Sequence, residues 1–163
     1  MVGLERFKAA QNRQWSGFDE AIQEIREGGK RSHWIWYVFP QIEGLGRSGA
    51  ATQFAIRDAQ EAKQYLEDSE LYSRLLTISQ AVAAQLWASS DLTVRELMGS
   101  DIDALKLVSS LTLFTTVARA AVASTTPNPY AEFLDVAEFV LSRAESQGYP
   151  RCSFTLQRLD VGQ

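Results

Sequence analysis

Apolar residues recur along this chain with the period of an α-helix. Phe18, Ala21, Ile22 and Ile25 follow the i, i+3, i+4, i+7 spacing of an amphipathic helix over 16–27, and Gly28-Gly29 supplies its stop. Leu4 and Phe7 mark one face of a helix over 4–11, with Gln11 on the same stripe, where a buried amide needs partners. A short helix is expected over 50–56. Asp58 caps the next, 58–66, which carries Ala59, Ala62, Tyr65 and Leu66. Ser69 caps a longer one, 69–88, with Leu71, Leu75, Ile78, Val82 and Leu86 as its core stripe. Asp91 caps a brief helix that Gly99 ends. Residues 101–123 are apolar round much of the circumference: Leu107, Leu111, Phe114, Ala118 and Val122 on one side, Leu105, Val108 and Val117 elsewhere. Such a helix is expected at the centre of the fold. A turn follows at 125–129, with two prolines as punctuation. Phe133, Val136, Ala137, Val140, Leu141 and Ala144 then mark a helix over 130–147, ended by Gly148. The tail, 152–163, is weakly patterned and either packs back through Phe154, Leu156 and Leu159 or stays partly flexible.

The stretch 33–39, HWIWYVF, breaks the pattern. Its residue types favour a strand, but both alternating faces are apolar and no partner strand is evident, and a lone strand is marginal. A short buried helix closed by Pro40 is the better expectation, with a loop over 41–49. The sum is an all-α single domain, 1–163, of seven to eight packed helices without a significant sheet. Its 163 residues and 45% hydrophobic content fit one ordinary globular domain.

The net charge of −4 argues against a nucleic-acid partner. A single cysteine, Cys152, excludes an internal disulfide and fits a reducing, cytoplasmic compartment. One Cys and one His cannot make a structural zinc site, so no metal and no cofactor are expected. The N-terminus has no signal-peptide pattern, and no stretch is long and apolar enough for a membrane span.

Chemistry concentrates in Lys30–Gly49, KRSHWIWYVFPQIEGLGRSG. Gly44 to Gly49 spells G-x-G-x-x-G, but Pro40 interrupts the run before it and no parallel strands follow, so a dinucleotide fold is not supported. The loop remains either a glycine turn or an anion site carrying Arg47 and Ser48. His33, the only histidine, is the candidate for acid–base work; its alternative is a structural tie to the backbone. Trp34, Trp36, Tyr37 and Phe39 either stack a flat ligand or fill the core. On the 101–123 helix, Asp103, Lys106 and Ser110 share a face, with Ser109 beside them; the line faces solvent or a cleft, and a buried Lys106 would need Asp103. The carboxylate pairs Glu20–Glu24 and Glu67–Asp68 read as solvated surface.

The segments RFKAAQ (6–11), GKRSHWIWYVFPQIEGLGRS (29–48), FAIRDAQEAKQYL (54–66), LKLVSSLTLF (105–114) and FTLQRL (154–159) together resemble the bacterial domain-of-unknown-function-1810 family. The resemblance implies an all-α domain of superhelically or orthogonally arranged helices and resolves 33–39 toward helix. It brings no established activity, so whether the chain is an enzyme stays open. The sequence departs from the family pattern at Asp68-Ser69, where His-Pro is expected, and near Cys152, where Asp is expected. Two functional readings result. One is a pocket for an anionic, nucleotide-like small molecule, formed by Lys30, Arg31, His33, Gln41, Arg47, Lys106, Ser109 and Ser110. The other is a non-catalytic helical module for an unknown protein partner.

Overall fold

The structure, a computed structural model, describes residues 3–122 and 127–161. Val122's side chain and the first part of the 125–129 turn lie outside the described residues. Ten helices follow one another among those residues: α1 (Glu5–Gln11), α2 (Phe18–Arg26), α3 (Ile35–Val38), α4 (Gly49–Gln53), α5 (Ala59–Glu67), α6 (Ser69–Ala88), α7 (Val94–Met98), α8 (Asp101–Val122), α9 (Ala131–Ser146) and α10 (Ser153–Val161). The count exceeds the expected seven to eight because the short helices α3, α4 and α7 each count separately and the tail adds α10. The β pairing among the described residues is an isolated parallel bridge between Ile42 and Ile56.

Helix α8 organises the rest. Leu107, Leu111, Phe114 and Ala118 are fully buried on one side, and Val108 and Val117 are buried on others. That all-round burial lets α8 pack against α3, α5, α7, α9 and α10, as an apolar circumference requires. Leu105 is the exception, being about half exposed. Helix α6 completes the frame against α2, α5 and α9.

Caps set several boundaries. Asp58 caps α5 by accepting from the Glu61 N–H. The cap of α6 is Asp68 rather than Ser69; its carboxylate accepts from the Glu70 and Leu71 N–H groups and receives Lys8 at 2.7 Å. The cap of α7 is Thr93 rather than Asp91, and Gly99, with φ of +86°, ends that helix as expected. The tail forms α10, anchored by buried Leu159, with Phe154 and Leu156 about one-third exposed.

Candidate functional site

The site region begins where α2 ends. Ala21, Glu24 and Ile25 form the inner face of that helix, so Glu24 is buried and not solvated as its charge alone predicts. Its Oε1 accepts from the N–H of Arg31 at 2.7 Å, the N–H of Ser32 at 2.9 Å and the indole Nε1 of Trp34 at 3.0 Å. Its Oε2 accepts from the Ser32 hydroxyl. Burial raises this carboxyl's pKa, but the four donors outweigh burial and hold it at about 2. Glu24 thus clasps residues 31–34, and the Lys30 N–H bonds to the Leu97 carbonyl at 2.8 Å, tying the segment to α7.

Alternate residues of the clasped segment point opposite ways. Lys30 and Trp34 turn inward, and Arg31 and His33 are exposed. The Lys30 ammonium is 2.7 Å from Asp103 and 2.6 Å from the Ser32 carbonyl. The same Asp103 receives Lys106 at 3.8 Å. The Lys106 ammonium lies 4.5 Å from the centre of the Trp36 ring, and that of Lys30 lies 5.2 Å from the Trp34 ring. Burial is the largest influence on Lys106 and lowers its pKa; Asp103 opposes it and the Lys30 ammonium adds to it. Two cations therefore share one carboxylate in a partly desolvated place, where one positive charge stays uncompensated. Two polar atoms in this region lack partners: the buried Nε1 of Trp36 and the hydroxyl of Ser110. Ser110 follows Lys106 by one helical turn. Its neighbours Ser109, Thr112, Thr115 and Thr116 all donate back to the carbonyl four residues earlier.

The predicted residues do not all converge. Lys30 and Lys106 meet at Asp103 beside α3, and Ser110 is buried one turn along α8. Gln41 borders a cavity with Trp36, Leu45, Gly46, Ala51, Phe54 and Ala55 that admits about one water molecule. Arg31 pairs with Glu27 at 2.7 Å on the exposed end of α2, and His33 is exposed beside the Tyr37 hydroxyl. Arg47 is exposed on the glycine loop. Ser109 spends its hydroxyl on the Leu105 carbonyl at 2.9 Å. The loop itself has steric reasons for its glycines. A Cβ on Gly44 would sit 2.8 Å from the Phe154 ring, and one on Gly46 would sit 2.6 Å from the Ala51 Cβ.

Two clusters were not legible as sites. Glu24 carried its signal in position, one turn from Ala21 and next to Ile25 on the buried face. The other cluster joins α1 to α5. Buried Arg6 meets buried Glu61 at 2.8 Å, and its guanidinium also donates to the carbonyls of Gln53, Ala55 and Gly3. Those contacts occupy its donors, so the pair is a brace and leaves nothing for a ligand. Gln11, expected to need partners, donates to the Tyr37 carbonyl at 2.8 Å and accepts from Arg74 at 3.2 Å. Among the described residues, no three His, Cys, Asp or Glu side chains converge on a common metal position, and no helix is long and apolar enough to cross a membrane.

Comparison with known proteins agrees with the architecture. The crystal structure of a conserved hypothetical protein from Mycobacterium tuberculosis superposes with a TM-score of 0.77, at 30% sequence identity and over 96% of both chains. No curated protein matches the chain. The model of the family described as "Protein of unknown function (DUF1810)" matches residues 1–135, a span that contains the Glu24 clasp, the lysine pair and the glycine loop. The chain is therefore a member of the DUF1810 family.

Proposed function

We propose that the protein binds a compact oxyanion where α3 meets α8, with Lys106 as the principal contact and Lys30 behind it. One observation carries this reading: two ammonium groups share the single carboxylate of Asp103 beside the Trp36 ring. A phosphate-like group at Lys106 would balance the remaining charge. Gln41 lines the small cavity together with Trp36 and offers a further amide. Arg31, Arg47 and Ser109 stand outside this set, and His33 is not assigned a catalytic role.

The test is a thermal-shift titration of the full chain with inorganic phosphate and pyrophosphate against chloride at matched ionic strength. A ligand that binds only the folded state raises Tm. The expected result is a saturable rise that Lys106→Met abolishes while its own unliganded Tm stays near the wild-type value. A rise that survives in Lys106→Met would refute the site.

The second reading, a protein-interaction module, is favoured by a different surface. Trp87 is 79% exposed and packs on Phe139 over an open apolar groove of about 360 Å³ between α6 and α9. A superhelical or orthogonal arrangement of helices, as the family resemblance implies, would suit such a groove. Concentration-dependent self-association that Trp87→Ser removes would count for this reading, and a strictly monomeric wild type that recruits nothing to this face would count against it.

A further inference from the structure

Residues 12–17 join α1 to α2 through a backbone that is held in place at unusual cost. Ser16 has φ of +55°, the one non-glycine residue in the left-handed region among those described. Gly17 is hemmed in as well: a Cβ there would lie 2.2 Å from the Arg13 carbonyl oxygen and 2.8 Å from that of Gln11. Strain of this kind persists only where surrounding contacts over-determine it, and here they do. Glu20 accepts from the Ser16 N–H with one carboxylate oxygen, and its other lies 3.1 Å from the Ser32 hydroxyl, whose single proton it shares with Glu24. The Tyr37 hydroxyl lies 2.5 Å from the Ser16 carbonyl and 3.1 Å from the His33 carbonyl. Glu20 and Tyr37 therefore set the 12–17 turn beside Ser32 and His33.

What this pinned turn displays is an indole and two basic groups. Trp15 is 75% exposed. Arg13 is exposed, with its guanidinium 5.4 Å from the centre of the Tyr37 ring, and His33 is exposed on the adjoining segment. Neither Arg13 nor His33 enters an ion pair among the described residues, whereas Arg31 and Arg74 nearby both do. An open aromatic face stacks a flat heterocycle, and an unpaired guanidinium with a neighbouring imidazole receives an anion. The net charge of −4 opposes a long polyanion across the rest of the surface; one exposed indole with one guanidinium beside it matches a single base and a single phosphate.

We infer that Arg13, Trp15 and His33 form a second binding face, for a nucleoside phosphate, with the base on Trp15 and the phosphate at Arg13 and His33. The inference is independent of the lysine pair. Its test uses the full chain carrying Trp87→Phe, which leaves Trp15 as the most exposed indole. AMP, adenosine and inorganic phosphate are titrated by calorimetry and by indole fluorescence. AMP is expected to quench the fluorescence and to bind more tightly than either fragment. Trp15→Ala and Arg13→Ala are each expected to weaken AMP by about tenfold or more, and Lys106→Met to leave it unchanged. Both altered side chains are exposed, so folding is not at stake. Absence of AMP binding, or AMP affinity unchanged in Trp15→Ala and Arg13→Ala, overturns the inference. AMP affinity lost in Lys106→Met and kept in Trp15→Ala also overturns it, and assigns the anion to the lysine pair instead.

Discussion

Glu24→Gln tests whether a buried carboxylate without a cation organises residues 31–34. The carboxyl titrates at about 2 in the folded chain against an ordinary 4.5, because four neutral donors overcome the cost of burying it. A depressed folded-state pKa contributes stability that is complete above the unfolded value and is lost as pH falls through the folded one. The window here runs from about pH 4.5 down to about pH 2. At neutral pH the contribution is about 3 kcal/mol, and roughly 2 kcal/mol of it has gone by about pH 3. Glutamine keeps an acceptor for Arg31, Ser32 and Trp34, and the Ser32 hydroxyl can turn to accept from its amide, so the fold survives the change. Urea unfolding of both proteins at about pH 7 and about pH 3 gives the stability gap directly. Glu61 and Asp68, also held below the usual carboxylate range against the effect of burial, are present in both proteins and cancel. The gap should narrow by about 2 kcal/mol on acidification. A gap equal at the two pH values would show that Glu24 is not charged in the clasp.

Three further predictions concern the same framework. Trp34→Phe removes a donor from buried Glu24 and opens space in the core, so chemical denaturation should show a loss of about 2–4 kcal/mol; Trp36→Phe removes an Nε1 that has no partner and should cost under about 1 kcal/mol. Equal losses would mean that the Glu24–Trp34 bond carries no weight. Gly44→Ala combines a φ of +106° with the Phe154 contact and should cost about 1–3 kcal/mol; hydrogen exchange should rise first in α10, and unchanged exchange there would break the link between loop and tail. Arg6→Met leaves Glu61 with Arg57 as its remaining cation, at 2.9 Å, and takes the donor from three backbone carbonyls; it should destabilise by about 2–4 kcal/mol, with Glu61→Gln in the same background recovering part of the loss in the same unfolding assay.

The helical architecture was legible because its signals are local. Apolar spacing located α2, α6, α8 and α9, and the all-apolar circumference of 101–123 placed that helix centrally. The 33–39 stretch resolved as α3 because a strand needs a neighbour, and the structure offers it no more than the Ile42–Ile56 bridge nearby. What sequence spacing could not supply was the direction of polar side chains in non-helical segments. Ser69 and Asp91 are plausible caps by type, yet the hydrogen bonds belong to Asp68 and Thr93, because capping depends on which residue has the extended backbone. The charge of Glu24 predicts a solvated side chain, whereas its place beside Ala21 and Ile25 on the inner face of α2 buries it.

That limit explains why one cationic block became two surfaces. Lys30, Arg31, Ser32 and His33 are contiguous, and contiguity invites a single pocket. Glu24 binds the N–H groups of Arg31 and Ser32 and the side chains of Ser32 and Trp34, which fixes the segment with its even-numbered residues inward. Lys30 is thereby delivered to Asp103 and Lys106, while Arg31 and His33 are turned to solvent. The consequence is separable chemistry. Substitution at His33 should leave the environment of Lys106 intact, whereas loss of Glu24 should disturb both faces, since it holds Arg31, Ser32 and Trp34 at once. A variant at Glu24 that altered one face and spared the other would show that some other contact orients the segment.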